Sequence, residues 1–359
     1  MSVPVAPSPL DAADMRSRVQ AIVDDFIAEQ RLVMADVSDD LHPLVDAVSD
    51  LLAGGKRLRP AFCWWGWRGA GGGDIEAAMT AAAALEFLQA CALIHDDVMD
   101  SSDMRRGMPA AHRRFASLHR ESAWQGSAET FGVGAAILLG DLCLSWADHL
   151  MMRASLPTVD LARGKSVYDE MRTELMAGQY LDLLEQAHGG GDAERAMRVV
   201  RYKSAKYTIE RPLHLGGALA NADESIVLAY TGYGLPLGEA FQLRDDVLGV
   251  FGDPTETGKP AGDDLREGKR TVLIATAMDK AAPEQQSHIR RYLGDPHLDQ
   301  SGVDTLREII CDTGALVHAE HMITKLTDQA LDSLSHVSLQ NDATDVLTQL
   351  AYAATRRSV

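Results

Sequence analysis

A chain of 359 residues, 46% of them hydrophobic, is long enough to bury a sizeable core as one domain or two. Its formal net charge of −18 leaves no surplus of Lys and Arg to displace counterions from nucleic acid or to hold an anionic lipid surface. The four cysteines, Cys63, Cys91, Cys143 and Cys311, lie in apolar helical stretches without CxxC spacing, which points to buried free thiols and excludes a disulfide framework or zinc site.

In chain order, residues 1–10 carry neither the basic start nor the apolar run of a secretory signal. With their prolines and serines they read as a flexible lead-in extending to residue 12, and a cytoplasmic location is the expectation. Apolar residues recur at helical spacing over 11–53, with a break at Val37-Ser38-Asp39-Asp40, where a Ser or Asp side chain can cap the next helix. Gly54-Gly55 stops that helix. Lys56, Arg57 and Arg59 open another, which puts Lys56 and Arg59 on one face, leaves Arg57 on the surface and seats Pro60 in the first turn. After the loop Gly71-Gly72-Gly73, Asp74 is positioned to cap a long apolar run over 77–94. That run and another over 131–147 approach the length of a membrane span. Glu86 and Gln89 interrupt the first and Asp141 the second, so both are expected to be core helices, with no integral membrane association.

Residues 101–128 are polar and Arg-rich, a mixture of loop and short helix. Helices are expected over 131–152, 166–187, 192–220 and 224–251, with a connector at 156–161, a Gly/Pro/Asp-rich loop over 252–268 and further helices from 273 to 358. No segment shows strand alternation. The expectation is an all-α chain, folded over 13–359 as one domain.

Two acidic motifs carry the chemistry. The first apolar run ends in His95-Asp96-Asp97-Val98-Met99-Asp100, and on a helix Asp96, Asp97 and Asp100 project to one side. Crowded carboxylates repel one another, so such a cluster calls for a cation, and all-oxygen ligation suits Mg²⁺. The second, Arg244-Asp245-Asp246-Val247-Leu248-Gly249, repeats the pattern on a later helix. One acid pair on a helix is usually a solvated face; two, each closing an apolar helix, would set opposing clusters across one cavity. His95 and His112 read as packing residues.

With Gly54-Gly55-Lys56-Arg57-Leu58-Arg59-Pro60, Gly178-Gln179-Tyr180-Leu181-Asp182, Lys203-Ser204, Gly258-Lys259-Pro260 and Asp264-Leu265-Arg266-Glu267-Gly268-Lys269, these motifs make the chain resemble the trans-isoprenyl diphosphate synthases of the polyprenyl synthetase family, over roughly residues 40–280. The resemblance implies a bundle of antiparallel helices around a deep central cavity, usually a homodimer. It implies Mg²⁺ held by Asp96, Asp97, Asp100, Asp245 and Asp246. Arg105, Lys203, Lys259 and Lys269 would contact the allylic diphosphate (dimethylallyl, geranyl or farnesyl). Gly55, Lys56, Arg59, Gln89 and Arg106 would hold isopentenyl diphosphate, and Thr208 and Gln242 would turn oxygen dipoles toward a carbocation. Gly249 departs from the family by standing where a third Asp is frequent, which removes one outer carboxylate. Asp182 and Asp264 are expected to support the cations and metal from behind. Lys206 and Arg211 lie outside any matched motif.

The growing chain is expected to run down the first acid-bearing helix past Ala92, Cys91 and Leu88, with Phe87 or a residue of 131–147 as floor. Small side chains at the first two positions predict geranylgeranyl diphosphate (C20) over the C15 or C25 products. A class I terpene cyclase would carry an NSE-type second motif and no second anion pocket. A non-catalytic partner subunit would typically have lost an acid motif, and both leading pairs are present here.

Overall fold

The computed structural model describes residues 13–189, 191–252 and 262–356; the lead-in expected over 1–12 and Lys259 lie outside them. Internal contacts gather the described residues into two compact units, one formed by 13–64 with Gly73–Leu161, the other by Trp65–Gly72 with the described residues from Ala162 to 356.

The first unit is organised on α4 (Glu76–Met99). Its run of alanines favours helix and keeps the surface smooth, and residues from Ala81 to Leu88 are essentially sealed from solvent. Around it pack α1 (Met15–Val37), α2 (His42–Leu52), α5 (Ala111–Glu121) and α6 (Ala128–Met152). Phe87 of α4 meets Phe26 of α1 edge-on at 5.1 Å and Trp146 of α6 at 6.2 Å, a geometry that aligns ring edges with π faces. Ser38 does cap the turn after α1, accepting from the Asp40 N–H at 3.2 Å. The cap of α4 is Ile75, not Asp74, whose carboxylate pairs instead with Arg18 at 2.9 Å. Helix α3 (Leu58–Gly69) begins two residues later than the Lys56 start expected for it. Residues 101–128 contain the only strands among the described residues, β1 (Met104–Arg105) and β2 (Met108–Pro109), paired antiparallel. This hairpin is too short for alternation to announce it.

The second unit is built on α10 (Glu224–Phe251), whose bounds match the expected 224–251. The stretch expected as one helix over 192–220 is α8 (Ala193–Val199), a π-helical segment Val200–Glu210 and α9 (Arg211–Leu219). Three glycines let neighbouring backbones close on the widened segment. A β-carbon at Gly178 of α7 (Thr158–His188) would lie 2.3 Å from the Lys203 nitrogen, one at Gly238 2.6 Å from the Ala205 Cα, and one at Gly234 2.7 Å from the Glu210 Cα. Pro212 follows, and without an N–H it has nothing to offer the Thr208 carbonyl four residues back. Later helices, including Val272–Lys280, Gln300–Asp312 and Ala315–Ser335, share a core with α10 through Leu243, Val247, Leu265, Leu273, Leu306 and Ile310. Cys63, Cys91 and Cys143 are buried as expected; Cys311 is exposed, because its helix turns it away from that core.

The glycine contacts give a direct test. Gly238→Ala forces backbone apart and should cost about 1–3 kcal/mol, lowering the melting temperature by a few degrees. Gly134→Ala, with open space around the added carbon, should leave stability unchanged or raise it by up to about 1 kcal/mol; thermal unfolding of the two variants measures both.

Candidate active site

The first acid run closes α4. Asp96 and Asp97 lie in its last turn and Asp100 is its C-cap, where exposed carbonyl oxygens make negative charge unfavourable. Asp97 is nevertheless only 2% exposed. It is tolerated because Arg105 of β1 reaches back, Nε donating to Asp97 Oδ1 at 2.9 Å and to Oδ2 at 3.2 Å, with Nη2 also on Oδ1. The hairpin arranges this. Arg106 and Gly107 at its tip have φ of 52° and 75°, the left-handed pair of a tight primed turn. Consecutive guanidiniums therefore serve different partners: Arg106 Nη1 donates to the carbonyls of Leu51 at 2.7 Å and Gly54 at 2.9 Å.

The loop that Arg106 grips differs from the expectation. Lys56 is exposed and precedes α3, so Lys56 and Arg59 do not share a helical face. Arg57, expected on the surface, is 3% exposed. Its φ of 54° turns the side chain inward, where it donates to Glu86 of α4, to Gln20 of α1 and to the Leu52 carbonyl. Desolvation pushes the Arg106 guanidinium below the usual arginine range; Glu86 opposes this, while the charges of Arg57, Arg105 and Arg59 add to it. Arg106 thus lies against Gly54 and Gly55, with three further guanidiniums near enough for their charges to act on it, on a chain that is strongly acidic overall. Such a concentration suits an anion.

Along α4, Leu88 and Cys91 are wholly buried, Gln89 and Ala92 half-buried. Burial, with the Asp141 charge, pushes the Cys91 thiol up to about 12, so it is inert. His95 packs as expected: one ring nitrogen lies 3.0 Å from the Ile137 carbonyl, and a β-carbon at Gly140 would collide with the ring. His112 is buried, and its pKa is lowered by that burial and by Arg113.

In the second unit Asp245 is half-buried and Asp246 is 6% exposed, accepting from Gln242 Nε2 at 2.8 Å. Burial pushes the Asp246 carboxyl up to about 7, with Asp264 and Asp245 adding repulsion against the pull of Gln242 and Lys269. A β-carbon at Gly249 would lie 1.9 Å from Asp264 Oδ2, so the Asp264 carboxylate occupies the room a side chain at 249 would need. Lys269 pairs with Asp264 and Glu267, each at 2.9 Å; burial alone would lower its pKa, but these carboxylates hold it well above the usual lysine value. Lys203 pairs with Asp182 at 2.6 Å, and Thr208, 1% exposed, sits in the same π segment. Such segments recur at functional sites because they re-aim side chains out of helical register. Lys206 is bonded to Glu174, and Arg211 reaches Glu174 at 2.6 Å and Glu170 at 2.5 Å; both are occupied in a structural ion network.

A family model described as polyprenyl synthetase matches residues 42–310. The chain belongs to the polyprenyl synthetase family. It is a trans-prenyltransferase with the all-α isoprenoid synthase fold. It is similar to the geranylfarnesyl diphosphate synthase of Aeropyrum pernix, 34% identical over 79% of this chain and 84% of that one. The geranylgeranyl diphosphate synthase of Saccharolobus solfataricus is 31% identical over 80% of this chain and 82% of its own. The crystal structure of geranylgeranyl pyrophosphate synthase from Corynebacterium glutamicum, complexed with isoprenyl diphosphate and magnesium, superposes with a TM-score of 0.92 at 41% identity, covering 96% of this chain and 99% of that one.

Polyprenyl synthetases bind diphosphate through divalent metal, and the residues present fit such an ion by chemistry. Among the described residues no three carboxylate, imidazole or thiol groups gather into a complete cage. Magnesium does not ask for one: it keeps waters and takes one or two carboxylates beside phosphate oxygens. Reading the sequence missed the Arg57–Glu86 pair and the Gly249–Asp264 exchange. Glu86 was the available signal, since an acid inside an apolar run is rarely buried without a cation.

Asp246 makes the metal-free enzyme pH-sensitive. Its folded-state pKa of about 7 exceeds the ordinary carboxylate value of 3.8, so between these the native state holds a proton that the unfolded chain has released. Stability from this group is complete below pH 3.8 and is lost as pH rises through 7. Asp246→Asn should therefore stabilise the metal-free protein by under about 2 kcal/mol at pH 5 and by up to about 4 at pH 8, read by denaturant titration at both.

Proposed function

We propose that the enzyme condenses isopentenyl diphosphate with an allylic diphosphate and releases geranylgeranyl diphosphate (C20). The observation that carries this reading is the end of α4, where a buried Asp97 is held by Arg105 above a sealed apolar helix bearing the small residues Ala92 and Cys91. Relatives named for C20 and C25 products support that size range.

Asp96, Asp97 and Asp100 on α4, and Asp245 and Asp246 on α10, are the proposed Mg²⁺ ligands. Bound magnesium would draw charge from the leaving diphosphate, a contribution of several kcal/mol. Arg105 exchanges its bond to Asp97 for the allylic diphosphate, while Lys203, Lys259 and Lys269 hold the same group as its C–O bond breaks and the electron pair leaves on oxygen. Thr208 and Gln242 face the allyl cation with fixed dipoles, which need no reorganisation as charge develops. Gly55, Lys56, Arg59, Gln89 and Arg106 hold isopentenyl diphosphate so that its double bond attacks the cation, forming the new C–C bond. Its proton passes to the departed diphosphate, since the sequence offers no obvious general base. Asp264, in the room left by Gly249, supplies the outer carboxylate that the second motif lacks. Apolar walls exclude water, which would quench the cation.

A second copy of this chain is the proposed partner. Phe131, Val133, Ile137 and Leu138 leave an apolar strip of α6 exposed, which suits an isologous homodimer. Both α4 and α6 are long and apolar enough to cross a membrane, but α4 is mostly buried, and we assign neither as a span. The enzyme is proposed to act in the cytoplasm.

Purified protein incubated with Mg²⁺, labelled isopentenyl diphosphate and dimethylallyl, geranyl or farnesyl diphosphate should yield C20 product and lose it when Mg²⁺ is chelated. Cyclic hydrocarbons, or no product from any primer, would overturn the assignment. Cys91→Phe should shorten the product toward C15. Ala92→Phe, at a half-buried position with more room, provides the same readout if the first variant does not fold. An unchanged chain length in folded protein would remove this wall of α4 from the tunnel.

A further inference from the structure

The loop between α2 and α3 is held from two directions. Arg106 grips it through the carbonyls of Leu51 and Gly54, and a β-carbon at Gly55 would come within 3.3 Å of the same guanidinium. From the other direction Arg57 anchors it. Arg57 sits in the left-handed region, disfavoured for a side chain of its size, with φ of 54°. What it gains is an inward path: its guanidinium is buried against Glu86, itself 1% exposed, and against Gln20 and the Leu52 carbonyl. Gln20 is fixed in turn, donating to Asp24 at 2.8 Å. Glu86 lies ten positions before Asp96 on the same helix. A rigid helix therefore carries both the anchor of this loop and the first acid cluster.

We infer that Arg57 is a positioning residue for isopentenyl diphosphate: its buried pairing with Glu86 fixes the backbone from Gly54 to Arg59, and with it Lys56 and Arg59, in register with the acid-bearing end of α4. The inference rests on the proposed assignment of Lys56 and Arg59 to that substrate. A planar guanidinium with three partners in different directions defines a loop position more sharply than a single contact. A buried ion pair is weak evidence for stability in itself, and setting register is its best-attested use.

Removing one charge would leave the other buried and alone, so single variants risk unfolding. The decisive variant is Arg57→Asn/Glu86→Gln, which removes both charges and puts at 57 a residue that tolerates positive φ. It is compared with Lys56→Ala in steady-state assays of both substrates. For the double variant we expect a KM for isopentenyl diphosphate raised about tenfold, with kcat and the allylic KM within twofold of the parent. Wild-type values for both KM, or an equal rise in both, would reduce Arg57 to charge balance or general packing and overturn the inference. If Lys56→Ala raises the isopentenyl KM while the double variant does not, the inference alone fails. If Lys56→Ala moves neither KM, the assignment of the loop to this substrate is wrong and the inference falls with it.

Discussion

A charge withdrawn from water must be matched nearby, and in this enzyme that constraint decides where loops and helix ends go. Asp97 is nearly sealed at the wrong end of a helix dipole, and a hairpin with two left-handed residues exists to bring Arg105 back to it. Glu86 is sealed ten residues earlier, and a strained Arg57 bends inward to meet it. Asp246 accepts from the Gln242 amide, and burial raises its carboxyl pKa to about 7. The two acid motifs thus begin from different states. In the first, Asp97 is paired with an arginine; in the second, burial raises the Asp246 carboxyl.

The same accounting sorts the lysines and arginines of the second unit by the carboxylates they meet. In the sequence, Lys206 and Arg211 lie outside any matched motif. They are committed to Glu174 and Glu170, and together they make the buried Glu210 tolerable in a segment where burial raises its pKa. Lys203, three residues from Lys206, pairs instead with Asp182. The π-helical stretch makes this division possible, because its wider turn takes neighbouring lysines out of ordinary helical register.

Much of the architecture was legible in the chain because it depends on local pattern. The apolar runs ending in acids predicted α4 and α10, the latter to the residue, and of the Ser and Asp side chains able to cap after α1, Ser38 does so. What escaped depends on tertiary partners. Nothing within Gly54-Gly55-Lys56-Arg57 says that Arg57 turns inward, since its reason is Glu86, 29 residues away. Likewise Gly178, Gly234 and Gly238 read as ordinary helical glycines until the π segment they face is known.

Gly249 shows how a departure from a family pattern is to be weighed. Counted along the chain, it is a lost carboxylate. In space, a carbon added there would sit 1.9 Å from Asp264 Oδ2, so an acid from the short helix Asp263–Arg266 already fills that volume, with its charge balanced by Lys269. An Asp at 249 and the present Asp264 could not both keep these positions, for steric reasons and because two carboxylates at such range repel strongly. The glycine is therefore the condition for Asp264 to stand where it does. The negative charge near Asp246 is kept in number while its source moves from the long helix to the short one that follows.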